Sequence, residues 1–139
     1  MPGETNLQKL LASMSPELVP GVFVFATLPS GSAVPANLNP VMVFREREGD
    51  TLILLEEEAT AAGLRSTFRS RMITLNIHSS LDAVGFLAVI TTRLAAAGMG
   101  VNPVSAYFHD HLFVPADRAD DAMAMLQTLA AENRNGQSG

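Results

Sequence analysis

The sequence predicts an α+β fold made of two ferredoxin-like units, each an antiparallel sheet with helices on one face. Three observations lead there. First, apolar spacing runs at every second residue over 72–78, at every third or fourth over 84–94, then returns to strand-like runs and ends in a helix. That order of strand, helix, strand, strand, helix is the split βαβ arrangement. Second, Pro40-Val41, a strand, a charged turn, a strand and an acid-led helix recur from Pro103-Val104, an offset of 63 residues that points to an internal duplication. Third, 47% hydrophobic and 17% charged residues in a chain of 139 exclude a disordered polymer and suit a compact body.

Element by element, Leu7, Leu10, Leu11 and Met14 have helical spacing before Pro16, so a short helix over about 5–14 is expected, with Thr5 as its N-cap. Val22-Phe23-Val24-Phe25-Ala26 is β-branched and aromatic and too short for a helix, hence a buried strand. Residues 28–40, rich in Pro, Gly, Ser and Asn, form a loop. Strands over 41–46 and 51–55 flank the turn Arg47-Glu48-Gly49-Asp50, and a helix starts at Glu56 and stops near Gly63.

In the second half, 72–78 alternates as a half-buried strand. Val84, Leu87, Ile90 and Leu94 mark a helix over about 82–97, with Ser79 and Asp82 as a capping box and Gly98 as the stop. A hairpin of 101–108 and 112–115 turns at His109-Asp110-His111. Asp117 then caps a last helix that faces Ala119, Met123, Leu126 and Ala130 inward.

The expected division is an N-terminal subdomain, 1–68, incomplete or permuted, a C-terminal subdomain, 69–132, and a disordered polar tail, 133–139. The two copies are unequal. Residues 79–100 carry a crossover helix, whereas the corresponding segment 28–40 is loop, so the helix near Leu7 is expected to cover the first sheet. The C-terminal unit also lacks a last strand, and the first half is the expected supplier of one to cover its edge.

Charge and composition exclude several functions. Nine Lys and Arg against fourteen Asp and Glu give a net charge of −5 with a single lysine, Lys9, so no basic cluster awaits nucleic acid. The absence of cysteine excludes disulfides and thiolate chemistry. The long uncharged run 18–44 is broken by Pro20, Gly21, Pro29, Gly31, Pro35 and Pro40 and does not read as a membrane span. With no basic, apolar leader at the N-terminus, a cytoplasmic location without a membrane partner is expected.

Candidate chemistry concentrates between Ser79 and Gly85. A strand ends there and a helix begins, so unpaired N–H groups and the positive end of a helix dipole converge, an arrangement suited to a carboxylate. Two readings stay open: Ser79 caps and Gly85 lets the helix pack, or Gly85 admits a ligand. His109 and His111 with Asp110 resemble metal ligands, but alternate turn residues converge poorly on one ion, and no metal or other cofactor is expected. Ser79 beside His78 lacks the surroundings of a catalytic triad. Glu56-Glu57-Glu58 and the scattered arginines read as solvated surface, and no enzyme activity is expected.

The run 82–90 followed by 94–102, Asp-Ala-Val-Gly-Phe-Leu-Ala-Val-Ile and Leu-Ala-Ala-Ala-Gly-Met-Gly-Val-Asn, resembles the ACT-domain signature, with Phe86 and Met99-Gly100 departing from the usual residues. Together with Phe44-Arg45-Glu46, Ile77 to Gly85 and Tyr107 to Pro115, it is similar to a bacterial family of small tandem ACT proteins related in architecture to the CASTOR arginine sensors. The resemblance implies a non-catalytic sensor that binds an amino acid at a domain interface and forms a homodimer or higher homo-oligomer. It places Ser79, Ser80, Leu81, Asp82, Ala83, Val84 and Gly85 in the ligand site with Asn102 opposite. Amides of Val84 and Gly85 would hold the α-carboxylate, and Asp82 or Asn102 the α-ammonium. A ligand-free interaction module is the alternative.

Overall fold

The computed structural model describes residues 6–137. It divides into two compact units, Gly21–Ser70 and the described part of Met1–Pro20 with Arg71–Gly139. In chain order the elements are α1 (Leu7–Ser13), β1 (Glu17–Leu18), β2 (Phe23–Leu28), β3 (Met42–Arg45), β4 (Asp50–Leu55), α2 (Glu56–Ala61), β5 (Ser66–Thr74), α3 (Phe86–Ala96), β6 (Asn102–Ser105), β7 (Asp110–Pro115), a 3₁₀ turn (Ala116–Arg118) and α4 (Ala119–Gln137).

In the unit Gly21–Ser70 the strands lie in the order β3-β4-β2-β5 and every neighbouring pair is antiparallel. Val24, Ala26, Leu28, Leu52 and Leu54 project from one sheet face onto Ala59 of α2 and Leu38 of the loop before β3. The loop thus takes the place of a crossover helix. The start of β5 is a strand that the sequence conceals, because Ser66, Thr67, Arg69 and Ser70 are polar and hydrophobic alternation is absent. Main-chain pairing with β2 makes it a strand nonetheless, with Phe68 accommodated at φ +59° where β5 carries an extra residue. Arg69 donates to both Glu56 oxygens, at 2.6 and 3.2 Å.

In the second unit the order is β5-β7-β6, with β1 pairing antiparallel to β5 through Glu17↔Thr74 and Leu18↔Ile73. The crossover from β5 to β6 passes through α3 and leaves β7 between the two strands, which is the split βαβ topology. β1 fills the place of the missing last strand. The core gathers Ile73, Leu75, Leu112 and Val114 from the sheet, Ile90 and Leu94 from α3, Leu126 and Leu129 from α4, and Leu10, Leu11 and Met14 from the first segment. Burying side chains of this size contributes roughly 1.5–3 kcal/mol each.

Several expectations need correction. The helix near Leu7 covers the core of the second unit, not the first sheet: Leu10 and Leu11 belong to the same core as Ile90 and Leu126, and amphipathic spacing alone does not name a partner. Its N-cap is Asn6, whose Oδ1 accepts from Lys9 N–H at 3.0 Å, while Thr5 lies outside the described residues. The two hairpins repeat at an offset of 60 residues, not 63, since Arg45↔Asp50 and Ser105↔Asp110 occupy the same register. Finally, α4 continues through Asn133 and Arg134, where the sequence reads as tail. Asn133 Nδ2 donates to the Leu129 carbonyl and Arg134 Nη1 to the Ala12 carbonyl, anchoring an otherwise polar turn.

Candidate functional site

The segment between β5 and α3 turns twice before the helix begins. Asn76 at φ +40° ends the strand direction, Ser79 N–H donates to the Ile77 carbonyl, Asp82 N–H to Ser80 Oγ and Ala83 N–H to the Ser80 carbonyl. Gly85, at φ +92°, is the N-cap of α3, a left-handed conformation that favours glycine. Space does not dictate it, because a Cβ there would meet Leu7 Cδ2 at an ordinary 3.5 Å. The helix therefore starts at Phe86 rather than near residue 82, and the Ser79/Asp82 capping box does not form. Ser79 Oγ instead donates to Asp110 Oδ2 at 3.0 Å.

A cavity of about 150 Å³ lies here, lined by Ser79, Ser80, Leu81, Ala83, Gly85, Phe86, Leu87, Ala88, Ser105 and Asp110. At roughly 30 Å³ per water in the liquid it is worth about five waters, well below the ~300 Å³ at which drug-sized pockets begin. All its lining residues belong to the second unit. One wall presents the first turn of α3, whose amides at Phe86, Leu87 and Ala88 have no intrahelical partner and receive no side-chain cap. Asp110, only 6% exposed, lines the same cavity. The lining of the cavity therefore combines a helix N-terminus with a buried acidic residue.

Of the residues expected in the site, Ser79, Ser80, Leu81, Ala83 and Gly85 line the cavity. Asp82, Val84 and Asn102 are not among the lining residues. Val84 is 85% exposed, Asp82 lies on the outer side of the turn, and Asn102 opens β6 opposite Phe113, three residues before the lining Ser105. The amides that the helix presents are those of Phe86, Leu87 and Ala88 rather than of Val84 and Gly85, because the late start of α3 moves its free end along the chain. Sequence reasoning weighs Asp110 only as a metal ligand and misses both it and Ser105 as cavity residues. The signal existed in the hairpin repeat: aligned at 60 residues, Asp50-Thr51-Leu52 falls on Asp110-His111-Leu112.

The histidines separate. His78 leans on the Phe108 ring with centroids 6.1 Å apart, while the rings of His109 and His111 are 6.5 Å apart. His111 Nδ1 is hydrogen-bonded to Thr74 Oγ1 at 3.0 Å. Burial holds the His111 imidazole below its ordinary pKa, reinforced by His109 and opposed by Asp110. Among the described residues no three His, Asp or Glu side chains gather to hold a metal ion, and no helix is long and apolar enough to cross a membrane.

Fold and cavity together define a pair of ferredoxin-like modules with one small polar recess at a strand-to-helix junction. ACT-domain family models match residues 2–71 and residues 67–128. The chain belongs to the ACT-domain family, as a tandem pair. It is similar to the crystal structure of a protein of unknown function from Vibrio cholerae, described as a possible transport protein, with 43% identity over 89% of this chain and 95% of that one and a TM-score of 0.81. A protein from Agrobacterium tumefaciens shares the fold at 18% identity, with 84% and 89% of the two chains covered and a TM-score of 0.73. So does the ligand-free regulatory subunit of aspartate kinase from Thermus thermophilus, at 10% identity, 86% and 97% coverage and a TM-score of 0.64. No curated protein is significantly similar to the chain.

Proposed function

We propose that the chain is a cytoplasmic, non-catalytic regulatory protein that binds a small amino acid in the cavity between the start of α3 and β7. The observation that carries this reading is that one cavity of about 150 Å³ is lined both by the first turn of α3, which has no side-chain cap, and by the buried Asp110. A free amino acid has the matching pair. Its carboxylate suits the Phe86, Leu87 and Ala88 N–H groups, and its ammonium suits Asp110, with Ser79 Oγ holding that carboxylate in place. The volume favours a short side chain. Membership of a family of regulatory modules supports the reading.

Regulation follows if bound and free forms differ in assembly, since a ligand shifts only equilibria whose end states it binds unequally. Leu81, Val84, Tyr107 and Phe108 expose apolar surface on the turns at and opposite the cavity rim, which fits a homo-oligomer contact sensitive to occupancy. The test is calorimetric titration of the chain with each of the twenty amino acids at millimolar concentration, paired with thermal unfolding and sedimentation. Heat and a raised Tm with at least one small amino acid are expected, weakened at least tenfold in Asp110→Asn. Silence across all twenty would leave the alternative, a ligand-free interaction module, whose signature is self-association through that same apolar rim.

A further inference from the structure

The two hairpins are laid out alike. Arg45 stands opposite Asp50 across β3 and β4, Ser105 stands opposite Asp110 across β6 and β7, and β4 and β7 show the same order of buried and half-buried positions. Both carboxylates are interior, with Asp50 2% and Asp110 6% exposed. An ionised carboxylate out of water is costly unless a cation or several donors compensate it. In the first hairpin the compensation is internal: Arg45 Nη1 lies 3.1 Å from Asp50 Oδ2. In the second, Asp110 receives the Ser79 hydroxyl, and among the described residues it forms no ion pair with Lys or Arg.

We propose that the residue opposite the buried aspartate decides which copy is open to a ligand: the Arg45 guanidinium is the built-in occupant of the first copy, and the small Ser105 leaves the equivalent place in the second copy to a ligand's ammonium or guanidinium group. Two consequences follow. Each chain holds one effector site, and that site requires a positive charge on its ligand. The absence of a helix between β2 and β3 agrees with this division, because the first copy has no counterpart of the α3 N-terminus to receive a carboxylate. The inference rests on the amino-acid reading of the cavity and sharpens it by assigning the selecting position and the charge selected.

The experiment grafts one copy's solution onto the other. Ser105→Arg is compared with Ser105→Gln, which adds similar length without charge, by thermal unfolding without ligand and by titration with glycine, L-alanine and L-serine and with their N-acetyl forms, which lack the ammonium. The expected result is a higher Tm for Ser105→Arg than for either wild type or Ser105→Gln, at least tenfold weaker binding of the amino acids, a similar loss on N-acetylation in the wild type, and a stoichiometry of one per chain. Arg45→Gln lowers Tm and leaves that affinity unchanged. Wild-type affinity in Ser105→Arg, equal binding of N-acetyl forms or two sites per chain would overturn the inference. Should the wild type bind none of the amino acids, the functional reading fails by itself, and the inference is then decided by Tm: a gain specific to arginine upholds the place for a cation, and equal Tm values for the Arg and Gln variants reject it.

Discussion

The unit Gly21–Ser70 and the unit built on Arg71–Gly139 share a strand plan and differ in what lies on it. The first covers its sheet with the six-residue α2 and a Pro-rich loop, and its core reduces to a handful of aliphatic side chains. The second has α1, α3 and α4 on its core, and so places the N-terminus of α3 beside the cavity lined by Ser79, Ser105 and Asp110. Duplication supplied a sheet twice over. The copy with a crossover helix is the one to which the proposed ligand is assigned.

The largest test of that contrast is in the cores. Leu126→Ala, fully buried among three helices, is expected to cost about 2–5 kcal/mol, while Leu38→Ala, in the loop over the smaller core, falls at or below the lower end, as read from denaturant midpoints. Equal losses would erase the distinction between the two packings. Next come the turns. A Cβ on Gly49 would lie 2.8 Å from the Leu28 carbonyl oxygen, so Gly49→Ala should cost about 1–3 kcal/mol, whereas the equivalent position in the other hairpin accepts His109 and its change to Ala should cost less.

Gly85→Ala probes the helix start. The left-handed backbone at φ +92° makes an L side chain unfavourable by about 1–2 kcal/mol, and the strain is expected to weaken amino-acid binding along with stability. The smallest effect is a pH dependence confined to one hairpin, because Thr51 occupies in the first the position that His111 holds in the second. The folded-state pKa of His111 is depressed by burial below 6.5, so between the folded and unfolded values the unfolded chain binds the extra proton. The contribution of neutral His111 is complete above about 6.5 and is lost as pH falls through the folded value; His111→Thr should flatten that part of the stability curve.

How far the fold was legible depended on whether a signal was local. Ile90 and Leu94 announced α3, and Leu52 and Leu54 announced β4, because burial on one face imposes a period on the sequence. β1 is two residues long and the first half of β5 is polar, so both exist through pairing with distant strands and leave no such period. The turn from Ser79 to Gly85 stands out in the sequence, since a strand end and a helix start are both visible there. Its polarity was misplaced because Ser79-x-x-Asp82 imitates a capping box, while the true cap is a glycine recognisable only by its backbone angle. Asp110 drew attention only as a metal ligand beside His109 and His111, because its burial is a tertiary fact.

One further consequence lies in β1. The strand that completes the second sheet is translated before anything it will touch: Leu18 leaves the ribosome well ahead of Ile73, and Ala12 far ahead of the Arg134 that clasps its carbonyl. During synthesis the opening segment therefore waits unpaired while Gly21–Ser70 has its own partners to hand. That unit is stitched from segments on either side of Gly21–Ser70, so removing α1 and β1 should injure the half that follows.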